Sequence, residues 1–417
     1  MFLESEKTIS TPDSLAVGRS SSIFAEDVME NSAQLSEMIR GSKILVIGGA
    51  GSIGSNTIEV LSRFKPSCLH VIDQNENGLA ELVRRLRSRV GGLDVDDFRP
   101  LPLNYGGIAF QLFLAESDPY DYVLNFAALK HVRSEKDHFS ILEMMNTNLM
   151  LMSNLLANLK KTGSPKRFFS VSTDKAANPS SVMGATKRLM EHFMFDQELD
   201  RPSDMVTTSA RFANVAYSNG SLLQSFENRF NLNQPLVAPR GCKRYFVSLN
   251  ESGHICTLAA FLAPENTIAI PNLNPEEHLV LLEDVLFGFL EYKGYTPEIF
   301  ESEDEARASM ASSISSGRWP VLLTPLDTAG EKPYEEFVAE GELVHDIGLK
   351  QIMGVGYQPA EAGSVLFVQQ KLAKIVNGDG VLNRAVNKGD LVDLIATVEP
   401  GFLATHKESE SSLDQRM

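Results

Sequence analysis

The sequence predicts an α/β fold: a doubly wound parallel sheet, a smaller mixed α/β domain, and a helical C-terminal extension. Three observations carry this. From Lys43 onward, short apolar runs ("KILVIGG", "CLHVIDQ", "YDYVLNFAA", "RFFSVST") alternate with stretches of helical period. Buried strands separated by helices of about ten or more residues imply right-handed crossovers and a sheet covered on both faces. The first run also ends in a glycine-rich turn that opens a helix, and after residue 211 the alternation loosens around Gly/Pro/Asn-rich joints such as "NLNQPLVAPRG".

Taken in order, residues 1–22 are Ser/Thr-rich without a period and read as a mobile or partner-bound arm. Phe24, Val28, Leu35, Met38 and Ile39 recur at near-helical spacing and predict one amphipathic helix over 24–40. Further helices are expected at about Ser52 to Phe64, after "CLHVIDQ" through Arg89, and around Leu142 to Leu159. A surface helix and linker is expected over 301–318, and two or three short helices over 364–398. The expected domains are an arm and helix (1–41), a dinucleotide-binding domain (42–240), a substrate domain interleaved with the last strands of the sheet (241–345) and a helical extension (346–417).

Composition narrows the function. With 43% hydrophobic and 22% charged residues, most of the 417-residue chain should pack. A formal charge of −16 repels phosphate polymers, so nucleic acid and anionic membrane are not expected partners. Cys68, Cys242 and Cys256 are too few and too scattered for a disulfide framework or a zinc site, and no metal ligands are expected. No run approaches the roughly 18–20 apolar residues of a membrane span, and Met1 to Ser22 lacks a signal-peptide core. A cytoplasmic location is expected.

The chemistry begins at "GGAGSIG". Gly48, Gly51 and Gly54 allow a tight turn and close approach of a pyrophosphate to the helix N-terminus, with Ser52 and Ile53 between them. Asp73, at the end of the second strand, is placed to accept from ribose hydroxyls. Gln74, Asn75 and Glu76 follow it and offer no adjacent arginine to a 2'-phosphate, so NAD is favoured over NADP unless Arg84 or Arg85 folds back.

Together, "GGAGSIGS", "NFAALKHV", "STDKAANP", "MGATKRLMEH", "ARFANV", "KRYF" and "GEKPYEEF" resemble the nucleotide-sugar 4,6-dehydratases of the extended short-chain dehydrogenase family. Within it, the resemblance is to the capsule, flagellin-glycan and nonulosonic-acid enzymes acting on UDP-N-acetylglucosamine. It implies a Rossmann domain, NAD, a UDP-sugar substrate and a homo-oligomer formed through the helices flanking Lys187. It further implies that Thr173 contacts the sugar 4-hydroxyl, Asp174 is the acid and Lys175 the base. Lys187 and Asn148 would serve the nicotinamide side, Ala127 and Ala128 would let the dinucleotide lie close, and Lys130 would contact cofactor or substrate. His131 reads as structural.

For the substrate diphosphate, Arg211, Asn214, Arg244 and Tyr245 are the candidates. Asp174 and Lys175 can both face the sugar only if the strand has ended, at about Ser172 or Thr173. The chemistry also asks for a partly neutral Lys175 and a protonated Asp174.

The chain departs from the family pattern in four places, one of them Leu151, where a glycine is usual in the helix segment after Asn148. Met183 stands where the tyrosine is usual, leaving Thr173, a water or Lys187 to take the 4-hydroxyl proton. Thr328 replaces an arginine ahead of "GEK", and Asn104 replaces an aspartate expected near adenine. An epimerase or a non-catalytic NAD-binding subunit are the alternative readings of the same scaffold.

Overall fold

A computed structural model describes residues 12–130, 135, 137–325, 334–378 and 386–406. Residues 1–11, His131, Thr328 and residues 407–417 lie outside the described residues. The strands in chain order are β1 (Lys43–Ile47), β2 (Cys68–Ile72), β3 (Asp97–Leu101), β4 (Tyr122–Asn125), β5 (Arg167–Val171), β6 (Val206–Ala210), β7 (Asn214–Val215) and β8 (Leu236–Pro239). They continue as β9 (Lys243–Val247), β10 (Thr267–Pro271), β11 (Leu279–Leu281), β12 (Thr296–Phe300), β13 (Arg318–Thr324), β14 (Val344–Asp346) and β15 (Ile352–Gly356).

Nine strands form the main sheet, in the order β14-β15-β10-β6-β5-β4-β1-β2-β3. From β10 to β3 all pairings are parallel, whereas β15 joins β10, and β14 joins β15, antiparallel. The doubly wound architecture is as expected, with this antiparallel edge added. Strand order reverses at β1, which pairs with β2 on one side and β4 on the other. Ligand crevices open at such switch points, beyond the carboxyl ends of the strands.

The period of two along β1 explains the layers. Leu45 and Ile47 join the core on one face, Ile44 and Val46 that on the other, and all four are essentially inaccessible. A third core, around Phe226, Phe289 and Trp319, holds the small sheets β11-β9-β7 and β12-β13-β8.

The N-terminal segment departs from expectation twice. Pro12–Val17 is a helix whose Ala16 and Val17 are buried against the third core, and Arg19 pairs with Glu251 at 2.7 Å, so the segment from residue 12 is docked. The single helix expected over 24–40 is two, Ala25–Glu30 and Ser32–Ile39, broken at Asn31. Beside the break, buried Asp27 turns its carboxylate inward to accept from the Lys350 and Gln351 amides at 2.7 and 2.8 Å, while Asn31 Nδ2 donates to the Asp27 carbonyl.

The helix expected around Leu142 to Leu159 is His138–Met145 and Leu151–Thr162, joined by a π-helical turn at Asn146–Met150. The following Val182–Phe195 helix is buried along its whole length. The C-terminal helices Ser364–Val376 and Lys388–Val398 pack on it. The face through which self-association was expected is thus occupied by the chain's own extension.

Candidate active site

The carboxyl ends of β1, β2, β4 and β5 open into a cleft of about 800 Å³. Gly48, Gly51, Ser52, Ile53, Gly54, Asp73, Ala127, Ala128, Lys130, Thr173, Asp174, Lys175, Met183, Lys187 and Asn214 all line it. The glycine turn is tight for a stated reason. Gly48 has φ +76°, and a Cβ there would stand 2.5 Å from the Ala127 amide nitrogen. Asp73 fastens the turn by accepting from the Ala50 amide at 2.9 Å and from the Asn75 amide at 2.9 Å. Each carboxylate oxygen keeps a further lone pair for a ribose hydroxyl. Arg84 pairs with Glu81 and Arg85 lies 3.6 Å from Glu59, so both turn toward acidic neighbours rather than Asp73.

On the opposite wall β5 ends at Val171, slightly ahead of the expected residue, and Thr173 caps a 3₁₀ turn over Asp174–Ala176. The turn breaks the alternation of the strand and lets consecutive side chains converge. Thr173 Oγ1 donates to Asp174 Oδ1 at 2.7 Å. The Lys175 amide and Lys175 Nζ reach the same oxygen at 2.9 and 3.1 Å. The Asp174 side chain is only 2% exposed, while that of Lys175 is 25% exposed to the cleft. A Cβ on Gly184 would lie 2.5 Å from the Lys175 carbonyl oxygen, so glycine in "MGATK" lets this turn rest on the Val182–Phe195 helix.

That helix is anchored at its start by Glu135, whose oxygens accept from the Val182 and Met183 amides at 3.0 and 2.8 Å. A carboxylate there satisfies orphan amides and complements the helix dipole. Burial raises the Glu135 proton affinity, and the two amide bonds offset part of that rise.

Lys187 Nζ donates to the Val171 carbonyl at 2.8 Å and approaches Met190 Sδ at 3.1 Å. Burial lowers its pKa to about 8, with Glu191 opposing the shift and Lys130 adding to it. Lys130 is open to the cleft, yet the surrounding walls exclude enough water that desolvation lowers its pKa too. Met183 presents a thioether, which cannot take a proton from an alcohol at neutral pH.

Four expected contacts do not line the cleft. Arg211 is fully buried: its guanidinium bonds Glu191 at 2.6 and 2.7 Å, Glu342 at 2.6 and 2.9 Å, and the Phe337 carbonyl. It is a structural cation with no donor facing the cleft, which corrects its reading as a diphosphate ligand. Arg244 lies on β9 with Nη1 on the Lys243 carbonyl, and Tyr245 packs on Phe337 with ring centroids 5.3 Å apart. Asn148 spends its amide on the Leu129 backbone, at 2.9 and 3.0 Å, and on Thr186 Oγ1 at 3.2 Å. It positions the cleft wall without touching its interior.

Sequence reasoning missed Glu335, a buried carboxylate 4.0 Å from Lys175 Nζ. The signal was present in "GEKPYEEF", where only the missing arginine drew attention. Glu191 was missed as well: it accepts from Ser172 Oγ at 2.6 Å and ties the end of β5 to the helix that carries Lys187.

Residues 44–356 match the family model described as polysaccharide biosynthesis protein. The chain belongs to this family. It is 30% identical, over 311 residues, to an uncharacterized membrane protein of Methanocaldococcus jannaschii, covering 74% of this chain and 84% of that protein. Among the described residues here, no helix is long and apolar enough to cross a membrane.

The chain is 26% identical to the probable polysaccharide biosynthesis protein EpsC of Bacillus subtilis, covering 78% of this chain and 51% of EpsC, so it spans about half of that relative. It is 28% identical over 192 residues to a UDP-N-acetylglucosamine 4,6-dehydratase (inverting) of Campylobacter jejuni, covering 46% of this chain and 54% of that enzyme. Among solved structures, Pen from Bacillus thuringiensis shares the fold with a TM-score of 0.62 at 21% identity, covering 76% of this chain and 88% of Pen.

Proposed function

We propose that this family member is an NAD-dependent 4,6-dehydratase of UDP-N-acetylglucosamine or a related nucleoside-diphosphate hexosamine. The observation that carries the reading is the hydrogen-bonded run Thr173-Asp174-Lys175 in the wall of a glycine-turn cleft. Eliminating water from a sugar needs an adjacent ketone to acidify carbon 5, then an acid and a base side by side. Similarity to the Campylobacter jejuni dehydratase supports the same chemistry. Asp73, with Arg84 and Arg85 turned toward other partners, supports NAD over NADP.

A bound nicotinamide supplies hydride acceptance from carbon 4 and its return to carbon 6; the chain's own residues move the protons. Thr173 Oγ1 donates to Asp174 and keeps lone pairs to accept from the 4-hydroxyl, so the proton of that hydroxyl passes through Thr173 to Asp174. Asp174 hands it to the departing 6-hydroxyl, and water leaves. Lys175 Nζ takes the proton from carbon 5 and later donates one back there, with the Glu335 carboxylate 4.0 Å away. Atoms balance: the 4-hydroxyl proton leaves in the water, the carbon 4 hydride ends on carbon 6, and both side chains regain their starting states. A tyrosine at Met183 is dispensable because Asp174 does both proton jobs. A homo-oligomer, where formed, uses a face other than the covered Val182–Phe195 helix.

Incubated with NAD and UDP-N-acetylglucosamine, the purified chain should yield a product lighter by one water without consuming a reductant. Thr173→Val should slow this by about 10²-fold or more, and Thr173→Ser should restore most of it. If no nucleotide hexosamine loses water, the dehydratase reading fails. An unaffected Thr173→Val removes Thr173 from the proton path.

A further inference from the structure

At the edge of the sheet opposite the cleft, strand pairing assembles a donor set that spacing along the chain conceals. Cys68 and Asp97 are register partners at the start of β2 and β3, and His70 is two residues on, so all three side chains share one face. Their donor atoms, Cys68 Sγ, a His70 ring nitrogen and an Asp97 oxygen, lie within 4.8 Å of one another. Cys68 and His70 are each 6% exposed, whereas Asp97 is half-exposed and opens the cluster to solvent.

We propose that Cys68, His70 and Asp97 form a site for a borderline-soft divalent ion of the zinc class, separate from the catalytic cleft. One thiolate, one imidazole and one carboxylate, with a water in the fourth position, is a donor set that zinc accepts and hard calcium or magnesium does not. Around such an ion with bonds of about 2.0–2.3 Å, donors stand roughly 3.3–3.8 Å apart. The observed His70 Nε2 to Asp97 Oδ2 distance of 3.1 Å is near that spacing, so side-chain adjustment alone suffices.

The surroundings orient the ligands as metal sites require. His70 Nδ1 lies 2.6 Å from Tyr120 Oη, which reaches Ser117 Oγ at 3.4 Å. With Nδ1–H donating to Tyr120, Nε2 presents its lone pair toward Asp97. Arg99 Nε holds the other carboxylate oxygen, Oδ1, at 2.7 Å and leaves Oδ2 for the ion. Phe113 and Tyr120 wall the imidazole, with ring centroids at 5.6 and 5.7 Å. The ion would clip β3, the terminal strand of the sheet, to β2.

Cobalt(II) titration of the chelator-stripped full chain tests this, because a cysteine ligand gives a sulfur-to-cobalt charge-transfer band. The expected result is about one cobalt per chain with that band, displaced by zinc. Cys68→Ser should abolish the band, and Asp97→Asn, at a half-exposed position that tolerates change, should weaken binding at least about tenfold with unchanged circular dichroism. No band in the wild type, a band that survives Cys68→Ser, or unchanged affinity in folded Asp97→Asn each overturns the proposal.

Discussion

Replacing Lys175 by methionine should leave a folded protein that still binds dinucleotide and nucleotide sugar but releases water about 10²–10⁴-fold more slowly. The side chain is one-quarter exposed to the cleft, and buried Asp174, which loses its Nζ partner at 3.1 Å, keeps the Thr173 hydroxyl and the residue-175 amide on the same oxygen. Methionine keeps most of its length without a proton-accepting nitrogen. The loss should fall on kcat, since the interaction matters at carbon 5 in the transition state. In deuterated water the wild type should incorporate solvent deuterium at carbon 5, and Lys175→Met should incorporate none. A variant that raises only KM while still exchanging at carbon 5 would make Lys175 a binding residue.

Glu342→Gln should destabilise the fold by about 3–5 kcal/mol, a large share of a typical domain's stability. Glu342, 1% exposed at its side chain, bridges Arg211 and Arg188, with bonds of 2.6 Å to each. Arg188 also reaches Glu399, which accepts from His192 at 2.6 Å. The network therefore rivets the helix carrying Met183 and Lys187 to the 334–342 segment and the C-terminal extension.

The sign with pH follows from the carboxyl. Burial pushes the Glu342 pKa up, but hydrogen bonds and charge from Arg211 outweigh it and hold it at about 2. A depressed carboxylate contributes stability that is fully present above its unfolded pKa and lost as pH falls through the folded one. The window thus runs from about 4.3 down to about 2 and is worth on the order of 3 kcal/mol. Acid unfolding followed by circular dichroism should show a shallower pH dependence for Glu342→Gln across that window than for the wild type. Equal slopes would mean that Glu342 titrates normally in the fold.

The parts of the molecule legible in the sequence are those set by local pattern. The apolar period of β1, β2, β4 and β5 located the parallel core, and the glycine turn with Asp73 located the cleft. What escaped depends on contacts distant in sequence. Arg211 reads as a phosphate ligand by residue type, yet Glu191 and Glu342, one 20 positions earlier and one 131 positions later, claim its guanidinium. The helix break at Asn31 interrupts a continuous apolar spacing, beside an Asp27 whose partners are the distant amides of Lys350 and Gln351. The π turn at Asn148 has no glycine or proline to announce it. Glu335 and the Cys68-His70-Asp97 cluster become visible only when loops and strand register bring them together.

The path of the hydride tests the central claim most directly. UDP-N-acetylglucosamine carrying deuterium at carbon 4 is incubated with the chain and NAD, and the product is read by mass and by NMR. The expected product has lost one water and carries the deuterium at carbon 6. Deuterium retained at carbon 4 of an intact hexosamine epimer, or unchanged substrate with NAD bound, would contradict the account.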